Sequence, residues 1–593
     1  MNETSRIGEL RELRTLFGPR ASEGSNKVLG IAEAIRRSVQ PGMTVHLGYE
    51  AGAAACEIVR QFWSRDPKFT LVMGGTAGTF APVMIHGGLV RKLIFTSGAD
   101  WYPTPGVNPV IQRAYSEGVV ELENWTTLSL VHRLMAGSMG LPFMPTRSIS
   151  GSDIANDNER SFRTVEDPFG SGRKVGLVQS LNPDISIIHG CAADQYGNTI
   201  VVPASLTYFH GTKASRNGAI VTVEKLVSTD FIRNHSTLVK IPGYMVKSVS
   251  VAPLGAHPQG LNLPMLPEMK SYEQDSDFMQ QAGLASKKKG TFDEWIEHWI
   301  LGCASHDEYL AKLGPDKISL LEGKADSARW RNELETAVGS IAATQGFTPT
   351  EMMVVAASRE IRNRIKEGRH KLLFAGIGIS LLASALAYYQ LLEEGYNIDL
   401  IGGGTIGFSP RPGHLLSGGA ANQATAKMLC DQSEVLGIGV GGEFSNCLAV
   451  MGAAQIDVRG NLNSTKTGEG TYLGGSGGAN DIASTAADIL VVARQSPRRF
   501  LRKVDYVTSP GDRVGTLVSD LAVYRRGEDG LTLTAYIARQ GQSPDDALRV
   551  IRENCGWDLA IALRLTKIAD PTSRELSLMR MLDPRREFLG KGA

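Results

Sequence analysis

Three acidic residues stand in loops that directly follow apolar runs: Glu50 in V-H-L-G-Y-E-A-G, Asp100 in L-I-F-T-S-G-A-D and Glu443 in G-I-G-V-G-G-E. A carboxyl group at the end of a buried strand can give or take a proton at a bound carbonyl, and Glu50 reads as a general base on that ground. Each also has a plainer reading: Glu50 as a solvated carboxylate or helix cap, Asp100 as turn chemistry, Glu443 as a surface glutamate. His46, in the apolar run before Glu50, fits a satisfied histidine better than a base. Cys56 and Cys447 fit small buried hydrophobes better than nucleophiles. Arg147, with Ser148 beside it, either pairs with a substrate carboxylate or ties two strands together.

A second chemical signal is L-I-G-G-G-T-I-G-F-S-P-R-P-G, Leu400 to Gly413, where Gly402, Gly404 and Gly407 match G-x-G-x-x-G. A dinucleotide loop must open a helix at once, and Pro410 and Pro412 forbid that here. Gly437, Gly439 and Gly442 match the same pattern, which shows how little it says alone. The sequence therefore predicts no nicotinamide cofactor, and no cluster of residues at metal-ligand spacing predicts a metal.

The elements that must position these residues occur twice. A-I-R-R-S-V-Q-P-G-M-T-V-H-L-G-Y-E-A-G-A-A-A from Ala34, and E-I-R-N-R-I-K-E-G-R-H-K-L-L-F-A-G-I-G-I-S-L-L-A from Glu360, both read as helix end, turn, strand, glycine loop and helix. Short apolar runs alternating with helical patterns follow in each half, so the expected fold is α/β: two related, open, mainly parallel sheets in tandem. Ligands of such sheets bind beyond the carboxyl ends of the strands. The expected divisions are a tail over 1–26, a first domain over 27–312, a linker over 313–348 and a second domain over 349–593. Leu372 to Leu392 carries no charge, long enough for a membrane span, but Gly376, Gly378 and Ser380 divide it into a strand, a turn and a helix.

Charged residues make up 21% of the 593, with a formal net charge of +1, so neither nucleic acid nor a membrane surface is an expected partner. The six cysteines form no C-x-x-C pair, and the charged first residues lack an apolar signal core, which points to the cytoplasm.

Longer motifs carry a resemblance. A-G-S-M-G-L-P-F-M-P-T-R-S-I-S-G-S-D, I-I-H-G-C-A-A-D-Q-Y-G-N, V-T-V-E-K-L-V and V-A-P-L-G-A-H-P in the first half resemble the alpha subunit of family I CoA-transferases, above all the glutaconate branch. M-G-A-A-Q-I-D-V-R-G-N-L-N, L-G-G-S-G-G-A-N-D-I-A and M-R-M-L-D-P-R-R-E-F-L in the second half resemble the beta subunit, so the chain looks like a fusion of the two.

The resemblance implies coenzyme A, as an acyl-CoA substrate, and an oligomer of at least two fused chains. The family's nucleophile is a glutamate in an E-x-G-x-x-G loop, which carries CoA as a thioester. Aligned here, Gly402 takes its place. Some relatives without that glutamate hydrolyse or decarboxylate acyl-CoAs; the ring-opening hydrolases use an alpha-half glutamate, where this chain aligns Thr127, with Glu123 about a helical turn away. The resemblance further implies backbone amides at Gly48, Gly402, Gly403, Gly404, Gly452 and Ala453 as oxyanion donors. It gives Gly474, Gly475, Gly477, Gly478 and Asn480 as the bed of a pantetheine arm. The first function expected is hydrolytic or carbon–carbon cleavage of an acyl-CoA. A CoA-transferase with a substitute nucleophile such as Glu50, and a non-catalytic acyl-CoA sensor, are the alternatives.

Overall fold

The computed structural model describes the chain apart from residues 1–2, 20–23, 49, 77, 101–105, 202–207, 264, 414–418, 540 and 591–593. Two large sheets dominate it. The first has nine strands: β1 (Thr44–Leu47), β2 (Phe69–Thr76), β3 (Val90–Ser97), β4 (Glu121–Asn124), β5 (Ile185–Ala193), β6 (Thr199–Ile200), β7 (Ala219–Leu226), β8 (Val239–Ile241) and β9 (Val246–Val251). Their main order is β8-β6-β5-β1-β2-β3-β4, with β7 joining β5 to β9. Pairs through β1, β2, β3, β4, β5, β7 and β9 are parallel, and β6 and β8 add an antiparallel margin. Parallel strands are covered on both faces, and β5, I-S-I-I-H-G-C-A-A, is buried along its whole length.

The second sheet has ten strands: β10 (Leu372–Ala375), β11 (Asp399–Gly402), β12 (Thr405–Phe408), β13 (Met428–Leu429), β14 (Cys447–Met451), β15 (Asp488–Val492), β16 (Val514–Val518), β17 (Ala522–Gly527), β18 (Gly530–Tyr536) and β19 (Ile561–Lys567). Their order is β13-β12-β11-β10-β14-β15-β16-β17-β18-β19. The centre, β11-β10-β14-β15-β16, is parallel.

The expected repeat is present in the backbone. Helix α1 (Ile31–Ser38) leads into β1 and then α2 (Gly52–Phe62). With the helix Tyr208–Ala214 counted as α3, α4 (Pro349–Gly368) leads into β10 and then α5 (Ile379–Glu393). Gly42, at φ 82°, makes the first turn, while in the second Arg369, at φ 49°, takes the left-handed position just after Gly368. Ile35, Val45, Ile58 and Phe95 share one core, and Val354, Leu373, Leu386 and Leu490 share another. The uncharged run Leu372 to Leu392 is thus β10, a turn and α5, and among the described residues no helix is long and apolar enough to cross a membrane.

Residues 313–348 hold the helices Pro315–Lys324 and Trp330–Ala343, and Arg580 of the second half donates to the carbonyls of Thr344 and Gly346. At the amino end, Glu3–Leu13 is an exposed helix.

Candidate active site

The stretch G-G-G-T-I-G is a β-hairpin. β11 ends at Gly402, Gly403 and Gly404 turn at φ 55° and 81°, and β12 returns from Thr405, paired with Gly402. A two-residue turn with both central φ positive suits the twist of its strands and excludes most side chains, which accounts for two of the glycines. Thr405 Oγ1 donates to the Gly402 carbonyl at 2.5 Å, and the Cys430 amide donates to the Gly404 carbonyl at 3.0 Å. Gly407 lies inside β12, so no helix follows the motif. The turn stands at the carboxyl end of β11, beside the ends of β10 and of β14, where Gly452 and Ala453 follow.

Glu50 lies between β1 and α2, at the carboxyl end of the first sheet's central strand. It is half-buried, its Oε2 is out of contact with solvent, and burial pushes the carboxyl up to about 8 against a smaller pull from its own backbone amide. The side chain therefore holds its proton more tightly than a free carboxyl, which counts against the expected base at neutral pH. Leu47, Gly48 and Ala51 line a small pocket with Gly78 and Thr79. The last two also line a cavity of about 230 Å³ that includes Asp100, Asn108 and Lys287. Asp100 Oδ1 accepts from Asn108 Nδ2 at 2.8 Å, and burial raises its pKa. The Gly48 amide is spent in the sheet, donating to Ile187 O at 2.8 Å, and is no oxyanion donor.

The loop around Glu50 is set by a second loop pressed against it. A Cβ on Gly52 would lie 2.1 Å from His257 O, and Ala53 donates to Gly255 O at 2.9 Å. That second loop is held by Glu224, at the end of β7. Its Oε2 accepts from the Leu254 amide at 2.9 Å, and its Oε1 meets Tyr272 Oη at 2.7 Å and His189 Nε2 at 2.8 Å. Next to it His257 bridges Tyr309 Oη and Asp275, and Asp275 also pairs with Lys317 at 2.8 Å. His46 is fully buried, held neutral by burial at about 4, and bonded to Ser186 Oγ at 2.7 Å.

Other expected site residues are engaged elsewhere. Asn480 accepts from the Ile149 amide at 2.6 Å and donates to Thr508 O at 2.8 Å, with no exposed surface. Gly474 O accepts from Gly98, Gly477 N donates to Thr96 O, and Gly477 O accepts from Thr127. A Cβ on Gly475 would lie 2.8 Å from Asn124 Nδ2, and Gly478 leads into the helix Ala479–Thr485. These residues form part of the seam between the halves, where Gly474 and Gly477 bond to the first half's backbone and Gly475 is pressed against Asn124 and Thr96. Arg147 belongs to the same seam through Gly441 O at 2.9 Å, and Ser148 is buried. Glu443 is exposed beyond the helix Ser433–Val440. Glu123 lies on β4 and is bound by Lys92, Trp125 and Arg133. The six cysteines are free thiols, and burial pushes Cys56 and Cys447 up to about 12.

One pair escaped the sequence reading. His210, on helix α3, has Nε2 3.5 Å from Asp431 Oδ2 of the other half. Nothing in Y-F-H-G or L-C-D-Q signals this, because the two residues lie 221 positions apart and only the joining of the halves brings them together. His132 lies close enough to feel the charge of His210; burial first, and then that repulsion, lower it to about 4. Among the described residues no group of three or more His, Cys, Asp or Glu could hold a metal ion.

Residues 28–252 and 445–524 match the family model described as coenzyme A transferase. The chain is 27% identical over 315 residues to the A subunit of glutaconate CoA-transferase from Acidaminococcus fermentans, covering 49% of this chain and 93% of that one. The B subunit of the same enzyme matches at 27% over 269 residues, 41% of this chain and 95% of its own length. The cholesterol ring-cleaving hydrolase IpdA subunit of Rhodococcus jostii matches at 25% over 283 residues, 46% of this chain and 92% of that one. The chain spans 64% of an uncharacterized Archaeoglobus fulgidus protein, at 27% identity over 300 residues and covering 50% of this chain. Among solved structures, the acyl-CoA transferase YdiF of E. coli O157:H7, as a thioester complex with CoA, shares the fold at a TM-score of 0.63 and 15% identity, over 93% of this chain and 96% of that one. The chain belongs to the coenzyme A transferase family, as a fusion of an A-like and a B-like part.

Proposed function

We propose that the protein cleaves an acyl-CoA, by hydrolysis or at a carbon–carbon bond, without passing CoA through a glutamyl thioester. One observation carries the reading: the Gly402–Gly404 turn, where the resembling transferases keep their nucleophile, offers no atom beyond the backbone. A covalent intermediate needs a side-chain carboxylate at that point. The ring-cleaving hydrolase among the relatives is in keeping with a family member that works with water.

Glu50 enters as a proton donor to the substrate carbonyl at neutral pH. The cavity beside it, lined by Gly78, Thr79 and Asp100, takes part of the acyl group. CoA is the substrate's own carrier, and no metal or nicotinamide enters the reaction. The fused chain works in the cytoplasm as a homo-oligomer, and the divisions 27–312 and 349–593 are its two domains.

Free thiol and acyl-CoA exchange, followed in a panel of acyl-CoAs with and without a carboxylate acceptor, test this. Free CoA without acceptor is expected. Exchange that requires the acceptor would overturn the reading in favour of a transferase with a substitute nucleophile. Gly402→Glu is expected to gain acceptor-dependent exchange.

A further inference from the structure

A site that cleaves with water needs a base, and Glu50, protonated at neutral pH, leaves that role open. Separated acid and base roles require groups whose surroundings push their proton affinities apart. We propose that His210, oriented by Asp431, is the general base of this site; the proposal rests on the acyl-CoA cleavage reading above.

The pair is placed at the seam between the two strand ends. Asp431 follows Cys430, whose amide holds the Gly404 carbonyl at 3.0 Å. Gly211, next to His210, lies against the His46 ring, and a Cβ there would come 2.2 Å from its Cε1. His46 is on β1, four residues before Glu50, a chain length of about 13 Å at most. His210 thus joins a path of contacts from β1 to the turn at the end of β11.

Asp431 is built as an orienting group. Ser433 Oγ and the Glu434 amide hold its Oδ1 at 2.6 and 2.9 Å, so Oδ2 faces the imidazole. Burial raises its proton affinity, but the bonds from His210, Ser433 and Glu434 more than offset this and keep it below the usual carboxylate range. The side chains are 12% and 8% exposed, so their attraction is little screened by solvent.

A separation of 3.5 Å is long for N–H···O, and catalytic hydrogen bonds tighten when substrate binds. His210 Nε2 is out of contact with solvent, and Asp431 Oδ2 is the acceptor it faces. The charged and titratable groups placed at the imidazole are His132, on the neighbouring first-half helix Thr127–Ser138, and Asp431 from the second half.

With the Nε2 proton directed at Asp431, Nδ1 takes a proton from water as the water oxygen bonds to the thioester carbonyl carbon. Collapse of the tetrahedral intermediate breaks the carbon–sulfur bond. The thiolate takes the proton back from the imidazolium, giving the free acid and CoA thiol.

The test uses the full chain and an acyl-CoA that the wild type cleaves. His210→Gln is expected to lower kcat about 10²- to 10⁴-fold with KM little changed, and Asp431→Asn about tenfold or more. The double variant should be no worse than His210→Gln, because the two act as a unit. A His210→Gln enzyme within threefold of wild-type kcat, or losses that multiply in the double variant, would overturn the proposal while wild-type cleavage stands. Independently of activity, Asp431→Asn is expected to lower the NMR titration midpoint of the His210 ring by about one unit, the effect of removing a close opposite charge. An unchanged midpoint also overturns the pair, and this readout holds even if wild-type cleavage is absent and the reading beneath it has failed.

Discussion

A carboxyl group that titrates near 8 keeps its proton in about nine molecules of ten at pH 7, and Glu50 is such a group. If it donates to the substrate carbonyl, kcat/KM falls as pH rises through about 8, and Glu50→Gln removes that limb; a base would make the limb rise instead. Burial has a stability consequence of fixed sign. The unfolded chain ionises this residue near 4.5 while the folded chain holds the proton, so stability declines between about 4.5 and about 8. Glu50→Gln should therefore be more stable than wild type at pH 9, by about 2–4 kcal/mol, and should gain little at pH 4. Denaturant unfolding at the two pH values measures this. The sequence placed Glu50 at a strand's end but could not give its charge, because the burial that sets the charge comes from loops far along the chain.

At the scale of elements, the Glu50 loop is only as well placed as the loop from Leu254 to His257 that leans on it. Glu224→Ala leaves His189, Tyr272 and the Leu254 amide without their acceptor and should cost about 2–4 kcal/mol, with Gln recovering part; thermal unfolding reads both. Asp275 supports the same loop. Burial would raise its pKa, but bonds from His257, Lys317 and the Phe278 amide bring it down to about 2. Its contribution is present above about 4 and lost as pH falls toward 2, so Asp275→Asn should lose about 2 kcal/mol at pH 7 and flatten the acid limb of unfolding. The strand–glycine–helix repeats were legible because apolar runs and turn glycines are local signals. The supporting network was not: His189, Glu224, Tyr272 and Asp275 meet across elements whose register no local pattern reports.

For the molecule as a whole, the two halves are joined by more than the connecting chain. Asp481 accepts from the Leu128 amide at 2.9 Å, and burial pushes it up to about 6. Lys466 and Tyr506 both reach Asp157 at 2.8 Å. Pieces 1–345 and 346–593, expressed together, should therefore co-purify as one complex on size exclusion; separate elution would show that the linker helices hold the halves together. The sequence showed glycines at 474–478 and suggested a bound ligand, since a glycine reports that something comes close but not what.

Three bonds of the glycine stretch at that seam run from main chain to main chain: Gly98 to Gly474, Gly477 to Thr96, Thr127 to Gly477. At those three bonds the joint reads no side-chain identity. Saturation mutagenesis should find that Gly475, with Asn124 and the Thr96 carbonyl already pressed against it, tolerates nothing larger. Fusion thus leaves the two halves free to diverge where the backbone makes the joint, and ties them where Asp481, Asn480, Lys466 and Tyr506 cross it.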